Sequence, residues 1–356
     1  MNVPHRLESP SSRALLRRRP GDALVLAGGV AKGAFAAGAV LALAQHLPLR
    51  VRRIVATSSG ALSAVFLASA IRDGRDLAVA GAELTAIWRE RATVAGTFAW
   101  SPLGIAQRVG LSTNAKIVDL LRQYVRPARG RRPIDLRLVM TNAAGSASPA
   151  GESEATTFEH VARFSGAAFD DERRLEEVFR AASASSAFPL AFEPVEMMIS
   201  GKRAPCFDGG LVDDAPIKHA LEDPFVKRIF VIAPFPAKYD PPPAQLQGAA
   251  LVVHLAEVLV QERLYRDLRE AHATNAALAR LEELIAYPRV RAAVLEAIGW
   301  RNRRQVEIVE IRPGAALPGG AFDGFCRPAL RDAYIDAGDH AARAWMDQRA
   351  LTRIVG

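Results

Sequence analysis

Three times along this chain a short apolar run ends in a tight turn of glycine and small polar residues. Leu24–Ala27 runs into Gly28-Gly29-Val30-Ala31-Lys32-Gly33, Arg53–Thr57 into Ser58-Ser59-Gly60, and Cys206–Phe207 into Asp208-Gly209-Gly210. The first two turns open helical stretches, Lys32–Gln45 and Gly60–Ile71, built mostly of small and apolar residues. Strand, turn and helix, twice in succession, predict parallel strands joined by helical crossovers. The alternation continues, with strands expected at Leu136–Thr141, Thr156–His160, Arg228–Ala233 and Val306–Ile311. Helices are expected at Asp76–Arg91, Thr113–Tyr124, Glu172–Ala182 and Pro328–Met346, and a long amphipathic region, broken once, at Leu246–Ile285. No internal repeat is visible, and the linker-like stretches 145–153 and 234–243 are only loop-sized. The expected organisation is therefore one α/β domain over residues 22–350, preceded by a loose basic tail, 1–21, with 246–288 as a helical cover or insertion.

Composition narrows the function classes. Half of the 356 residues are hydrophobic, which excludes wholesale disorder. Two cysteines, Cys206 and Cys326, exclude a disulfide scaffold and a four-cysteine zinc site within one chain. No metal or cofactor is expected. The net charge of +8 favours anionic partners. No basic block interleaved with aromatic residues stands out, so nucleic acid is not an expected partner. The longest charge-free runs carry polar residues and a proline, and neither reads as a spanning helix. A cytoplasmic protein, peripheral at a membrane at most, is the expectation.

The turns carry the chemistry. Ala56-Thr57-Ser58-Ser59-Gly60 lies between a strand and a helix, the setting of a nucleophile elbow, with Ala56 where G-x-S-x-G has its first glycine. Taken alone, such a serine is also an ordinary turn or N-cap residue. The Gly28–Gly33 turn has neither dinucleotide nor P-loop spacing. It suits converging backbone N–H groups, whether for a bound anion or as an oxyanion hole, and it also suits a plain strand–helix turn. Asp208-Gly209-Gly210 aims a carboxylate from a third turn. In open parallel sheets, turns at strand ends line a shared crevice. Nucleophile, oxyanion donors and base then meet in one place.

GGVAKG, ATSSGA about thirty residues later, SASSAFPLAFEPV (Ser183–Val195) and DGGLVDDAPI, in that order, resemble the patatin-like phospholipases. The resemblance covers Ala23–Ile217 well. It implies a three-layer α/β/α fold with a mostly parallel central sheet and a serine–aspartate dyad without histidine. Carried over residue by residue, Ser58 is the nucleophile and Asp208 the base. Gly28, Gly29, Val30, Lys32 and Gly33 form the oxyanion hole, while Ala56, Gly60, Gly209 and Gly210 support the elbow and turn. The implied reaction is ester hydrolysis through an acyl-serine, on a lipid or other acyl ester. The chain departs from the family at Ala56 and Val30, where glycine is usual, and at Asp214, where asparagine is common.

Two other readings compete. An α/β-hydrolase-type esterase would add His254 or His272 to Ser58 and Asp208, in the chain order Ser, Asp, His. A non-enzymatic protein would hold an anion at Gly28–Gly33 and recruit partners with its long helices. On the enzyme reading, an apolar stripe in Leu246–Ile285, flanked by Arg263, Arg266, Arg269 and Arg280, suits contact with an anionic membrane. The same stripe suits packing on the protein's own core. Lys32 is placed to meet a substrate phosphate or to tie loops together.

Overall fold

The computed structural model describes residues 19–102, 105, 110–147, 156–238 and 249–355. Most of the basic tail, and residues 246–248 at the start of the expected long helix, lie outside them. The chain enters β1 (Gly21–Leu26), passes through the glycine loop into α1 (Ala34–His46), and returns in β2 (Val51–Thr57) before α2 (Ser59–Asp73) and α3 (Leu77–Arg91). Two short strands, β3 (Ala99–Trp100) and β4 (Gly110–Thr113), lead to α4 (Ala115–Tyr124), β5 (Asp135–Ala147), β6 (Thr156–Ser165) and α5 (Glu172–Ser185). Then come β7 (Leu190–Phe192), β8 (Val195–Ile199), β9 (Lys202–Asp208), α6 (Ile217–Leu221) and β10 (Val226–Ile232). The remainder is α7 (Ala249–Leu284), α8 (Pro288–Ala297), β11 (Glu307–Ile311) and α9 (Pro328–Val355).

The main sheet has the order β11-β10-β1-β2-β5-β9-β8, with β6 paired to β5; β3, β4 and β7 make a small second sheet. The β11/β10, β10/β1, β1/β2 and β2/β5 ladders are parallel, and β6, β9 and β8 add antiparallel ladders at one side. Side-chain alternation divides the core between two faces. Leu24, Leu26, Phe230 and Ile232 point toward α1, α2, α3, α5 and α9, whereas Ala23, Val25, Ile229 and Val231 point toward α6 and α7. Both faces are covered, which is why the central strands read as unbroken apolar runs. Each fully buried leucine such as Leu24 or Leu26 contributes on the order of 2 kcal/mol.

Three features differ from the expectations. The long helical region is unbroken from Ala249 to Leu284, and Leu264, Leu268 and Ala271 pack its middle onto the sheet. The expected strand at Thr156–His160 continues to Ser165, held by antiparallel pairing along β5. Asp208 also reaches the crevice by another route than a parallel strand end. β5 overshoots its neighbours, and β9 pairs with the overshoot, Cys206 opposite Asn142 and Asp208 opposite Met140. That brings β9 back down to the level of Thr57, which pairs with Val139. No helix among the described residues is long and apolar enough to cross a membrane.

Candidate active site

Ser58 stands between β2 and α2 with φ 55° and ψ −132°, a conformation that costs a non-glycine residue about 1–3 kcal/mol. Two contacts hold it there. Its N–H donates to Ser185 Oγ (3.0 Å), and that hydroxyl donates to Val139 O (2.6 Å), tying the elbow to α5 and β5. Gly60 lets α2 approach β1: a Cβ there would lie 2.4 Å from Leu26 O. Ala56 stays within β2 without a positive φ, so its extra methyl is accommodated in the buried strand. Ser58 Oγ donates to Asp208 Oδ2 at 2.5 Å. Ser58 also caps α2, so the positive end of that helix dipole lies at the serine.

Asp208 is fixed by its own turn. Gly210 N–H donates to Oδ1 (2.8 Å), the Asp208 N–H donates to Ala187 O (2.9 Å), and Thr141 Oγ1 donates to Asp208 O (2.7 Å). Gly209 packs its backbone on Val139. Burial pushes the Asp208 carboxyl up to about 6, against the pull of the hydrogen bonds from Ser58 and Gly210. A carboxylate so raised is a better base for a serine hydroxyl than an ordinary aspartate. Its neighbours are raised too: Asp213 to about 6 by burial, and Asp214 well above the usual range by burial and then by the charge on Asp208.

The glycine loop lies beside Ser58 because β1 and β2 pair in register, Leu26 with Ala56. Its amides are unequal. Gly28 N–H donates to Asp214 Oδ1 (3.0 Å), Lys32 N–H to Gly29 O (2.9 Å), and Ala31 N–H to Ala321 O (3.1 Å). Gly33 caps α1 and packs on Ser59. Among the described residues no acceptor engages the N–H of Gly29 or Val30. Val30 takes φ 54°, although β-branched residues rarely do.

Two cavities meet at the pair. The larger is walled by Leu62, Phe66, Leu84, Trp88, Ile117 and Leu121. The smaller is walled by Gly29, Lys32, Asp214, Glu257 and Val260, the last two from α7. Ser58, Asp208, Val30 and Phe188 border both. Among the described residues no histidine lines either. Both Asp208 oxygens are already engaged, His254 and His272 lie on α7, and His272 pairs with Glu310 (2.7 Å). Glu159, Asp213 and His219 bring donor atoms within 4.8 Å of one another, but Lys218 bonds Glu159 and approaches Asp213 to 3.1 Å, so the chain itself supplies positive charge there.

Sequence reasoning assigned no role to Ser185 or Asp214. Ser185 lies in the quoted Ser183–Val195 stretch, yet nothing in its local spacing marks it. Asp214 stood out only as a departure from asparagine.

No curated protein matches the chain. Among solved structures, that of VipD from Legionella pneumophila is similar, at 13% identity and a TM-score of 0.39, over 92% of this chain and 67% of that one. A family model for patatin-like phospholipases matches residues 24–221. That span is more than half of the chain, and it opens in β1, takes in both glycine loops and closes with α6 just past the Asp208 turn. A chain matched so continuously through the strands and turns that surround Ser58 belongs to the patatin-like phospholipase family of lipid acyl hydrolases.

Proposed function

We propose that the protein hydrolyses carboxylic esters of phospholipids or lysophospholipids through an acyl-serine. Asp208 takes the proton of Ser58 as Oγ attacks the ester carbonyl. The amides of Gly29 and Val30 hold the oxyanion, and Asp208 returns the proton to the departing alkoxide so that the alcohol leaves. Water then cleaves the acyl-serine, Asp208 taking its proton and handing it back to Ser58 Oγ. The observation that carries this reading is the Ser58 hydroxyl donating to a buried carboxylate at the mouth of an apolar cavity. The apolar walls of that cavity, Leu62, Phe66, Leu84, Trp88, Ile117 and Leu121, suit an acyl chain. The smaller cavity, with Lys32 in its wall, suits an anionic headgroup. Cys206 offers no rival nucleophile, since burial pushes its thiol up to about 11.

The first turns of α7 form part of the cover. Glu257 and Val260 face the crevice, while Leu251, Leu255 and Leu259, one turn apart, are exposed. We place this stripe against the lipid surface. Arg263 also donates to Val212 O (2.7 Å) beside the Asp208 turn.

The test uses two substrates and one probe. A fluorophosphonate should label Ser58, located by mass spectrometry, and Ser58→Ala should abolish labelling and hydrolysis of both a soluble ester and vesicle lipid. Leu255→Glu with Leu259→Glu should leave soluble-ester hydrolysis within about threefold and lower vesicle hydrolysis at least tenfold, over 1.4 kcal/mol of barrier. Absence of Ser58 labelling in folded protein rejects the acyl-serine. Equal losses on the two substrates reject the lipid-facing stripe.

A further inference from the structure

Asp214 is a buried acid beside the dyad that the proposed reaction leaves unused. It is 1% exposed. Its Oδ1 accepts the Gly28 N–H at 3.0 Å, and its Oδ2 is buried without a partner among the described residues. Gly28 is clamped there: a Cβ on it would lie 2.6 Å from Asp214 Oδ1 and 2.8 Å from Ser58 Cβ. Asp208 is close as well. Asp208 Oδ1 and Asp214 Oδ1 lie 3.1 and 3.3 Å from a single point, the place a Gly210 Cβ would take.

Two carboxyl groups so near each other and so deeply buried do not both ionise freely; they titrate as a pair. The count of donors decides which one keeps the proton. Asp208 accepts from Ser58 Oγ–H and Gly210 N–H, whereas Asp214 accepts only from Gly28 N–H. Negative charge rests where more donors point, so it rests on Asp208 and the proton on Asp214. Burial and the Asp208 charge both push the Asp214 carboxyl in the same direction. The other charged groups around it do not reverse the assignment. Asp213, next in the chain, faces Lys218 at 3.1 Å; Lys32 and Glu257 line the same cavity from the glycine loop and α7; Arg263 is committed to Val212 O. A neutral carboxylic acid offers one acceptor oxygen and one O–H donor, the arrangement that an asparagine side chain offers with its carbonyl and NH₂.

We propose that Asp214 is a positioning residue that works in its neutral acid form, as a stand-in for asparagine, holding the Gly28 peptide so that the neighbouring Gly29 and Val30 amides face the oxyanion. The inference rests on the acyl-serine reading. Loss of the Asp214 proton puts a second negative charge beside Asp208 and close to the developing oxyanion, where charge of that sign opposes the transition state. Activity then rises with pH as Asp208 ionises, near 6, and falls again at higher pH as Asp214 ionises.

The experiment is kcat/KM against pH on a soluble ester for wild type, Asp214→Asn and Asp214→Ala, with fluorophosphonate labelling of Ser58 in each. Asp214→Ala should lower kcat at least tenfold at pH 7 with little change in KM. Asp214→Asn should recover most of that loss, keep the rise near pH 6 and abolish the alkaline fall. An alkaline limb that persists in Asp214→Asn overturns the proposal, as does an alanine variant as active as the asparagine one. Should Asp214→Ala fail to fold, the profile of the near-isosteric Asp214→Asn decides. If wild type itself is unlabelled and inactive, the acyl-serine reading fails; if wild type is labelled and active but its profile is untouched by Asp214→Asn, only the Asp214 inference does.

Discussion

The turns after β1 and β2 are built alike and used oppositely. Each follows a parallel strand, each opens a helix, and each places one non-glycine residue at nearly the same unusual backbone angle, Val30 at φ 54° and Ser58 at φ 55°. At Ser58 the amide is consumed by Ser185 and the side chain faces Asp208. At Val30 the side chain is an apolar wall shared by two cavities, and the amide has no acceptor among the described residues. One strained backbone form thus presents a hydroxyl in one turn and an N–H in the other. Residue identity should therefore matter greatly at 58 and modestly at 30.

The largest expected effect breaks the comparison outright if it fails. Ser58→Ala should lower kcat on a soluble ester by at least about a thousandfold, as loss of a nucleophile does in other serine hydrolases. Val30→Ala, which keeps the amide, should lower it by less than about tenfold. Steady-state kinetics on the two variants decide it, and comparable losses would mean that the two turns are not divided between side chain and amide.

Ser185 gives an intermediate effect. Its hydroxyl accepts the Ser58 N–H and donates to Val139 O, both inside the protein. Ser185→Ala leaves a buried donor and acceptor unmet, at a cost of about 1–3 kcal/mol in stability. It also loosens Ser58, and on the proposed mechanism kcat should fall roughly ten- to a hundredfold. The rate of fluorophosphonate labelling at Ser58 should fall with it while KM holds. A stability loss with an unchanged labelling rate would make Ser185 a scaffold residue only.

These contrasts bear on what could be read before the fold was known. Motif order and strand–turn–helix alternation made the parallel core, the three turns and the closing helix legible, because each signal is local. The antiparallel β8/β9 hairpin was not, since only long-range pairing with the overshooting end of β5 makes it a sheet edge. The amides of Gly28 and Lys32 joined the expected oxyanion donors on sequence, yet both are occupied in the fold, one by Asp214 and one by Gly29 O. Hydrogen-bond partners nearly two hundred residues apart leave no trace in spacing. The periodicity of α7 could not separate core from surface, because the helix has apolar residues in both: Leu264 and Leu268 are buried, while Leu255 and Leu259 are exposed.

The smallest effect is the sharpest probe of the division between the turns. Val30→Gly keeps the amide and removes the Cβ that makes φ 54° costly, a relief of about 1–2 kcal/mol. Against it stand the lost contacts of a half-buried side chain and the greater freedom of glycine in the unfolded chain, the latter about 0.5–1 kcal/mol. The terms nearly cancel, so Tm should move by no more than about three degrees in either direction. Hydrolysis of a soluble short-chain ester should stay within about threefold, since the Gly29 and position-30 amides proposed to hold the oxyanion are both retained. Long-chain substrates should respond more, because Val30 borders the apolar cavity as well as the polar one. Chain-length profiles of Val30→Gly and wild type are the measurement. A short-chain loss beyond tenfold would show that the valine side chain itself sets the oxyanion geometry. A profile shifted only for long chains would assign the valine to the cavity wall and leave its amide to the chemistry.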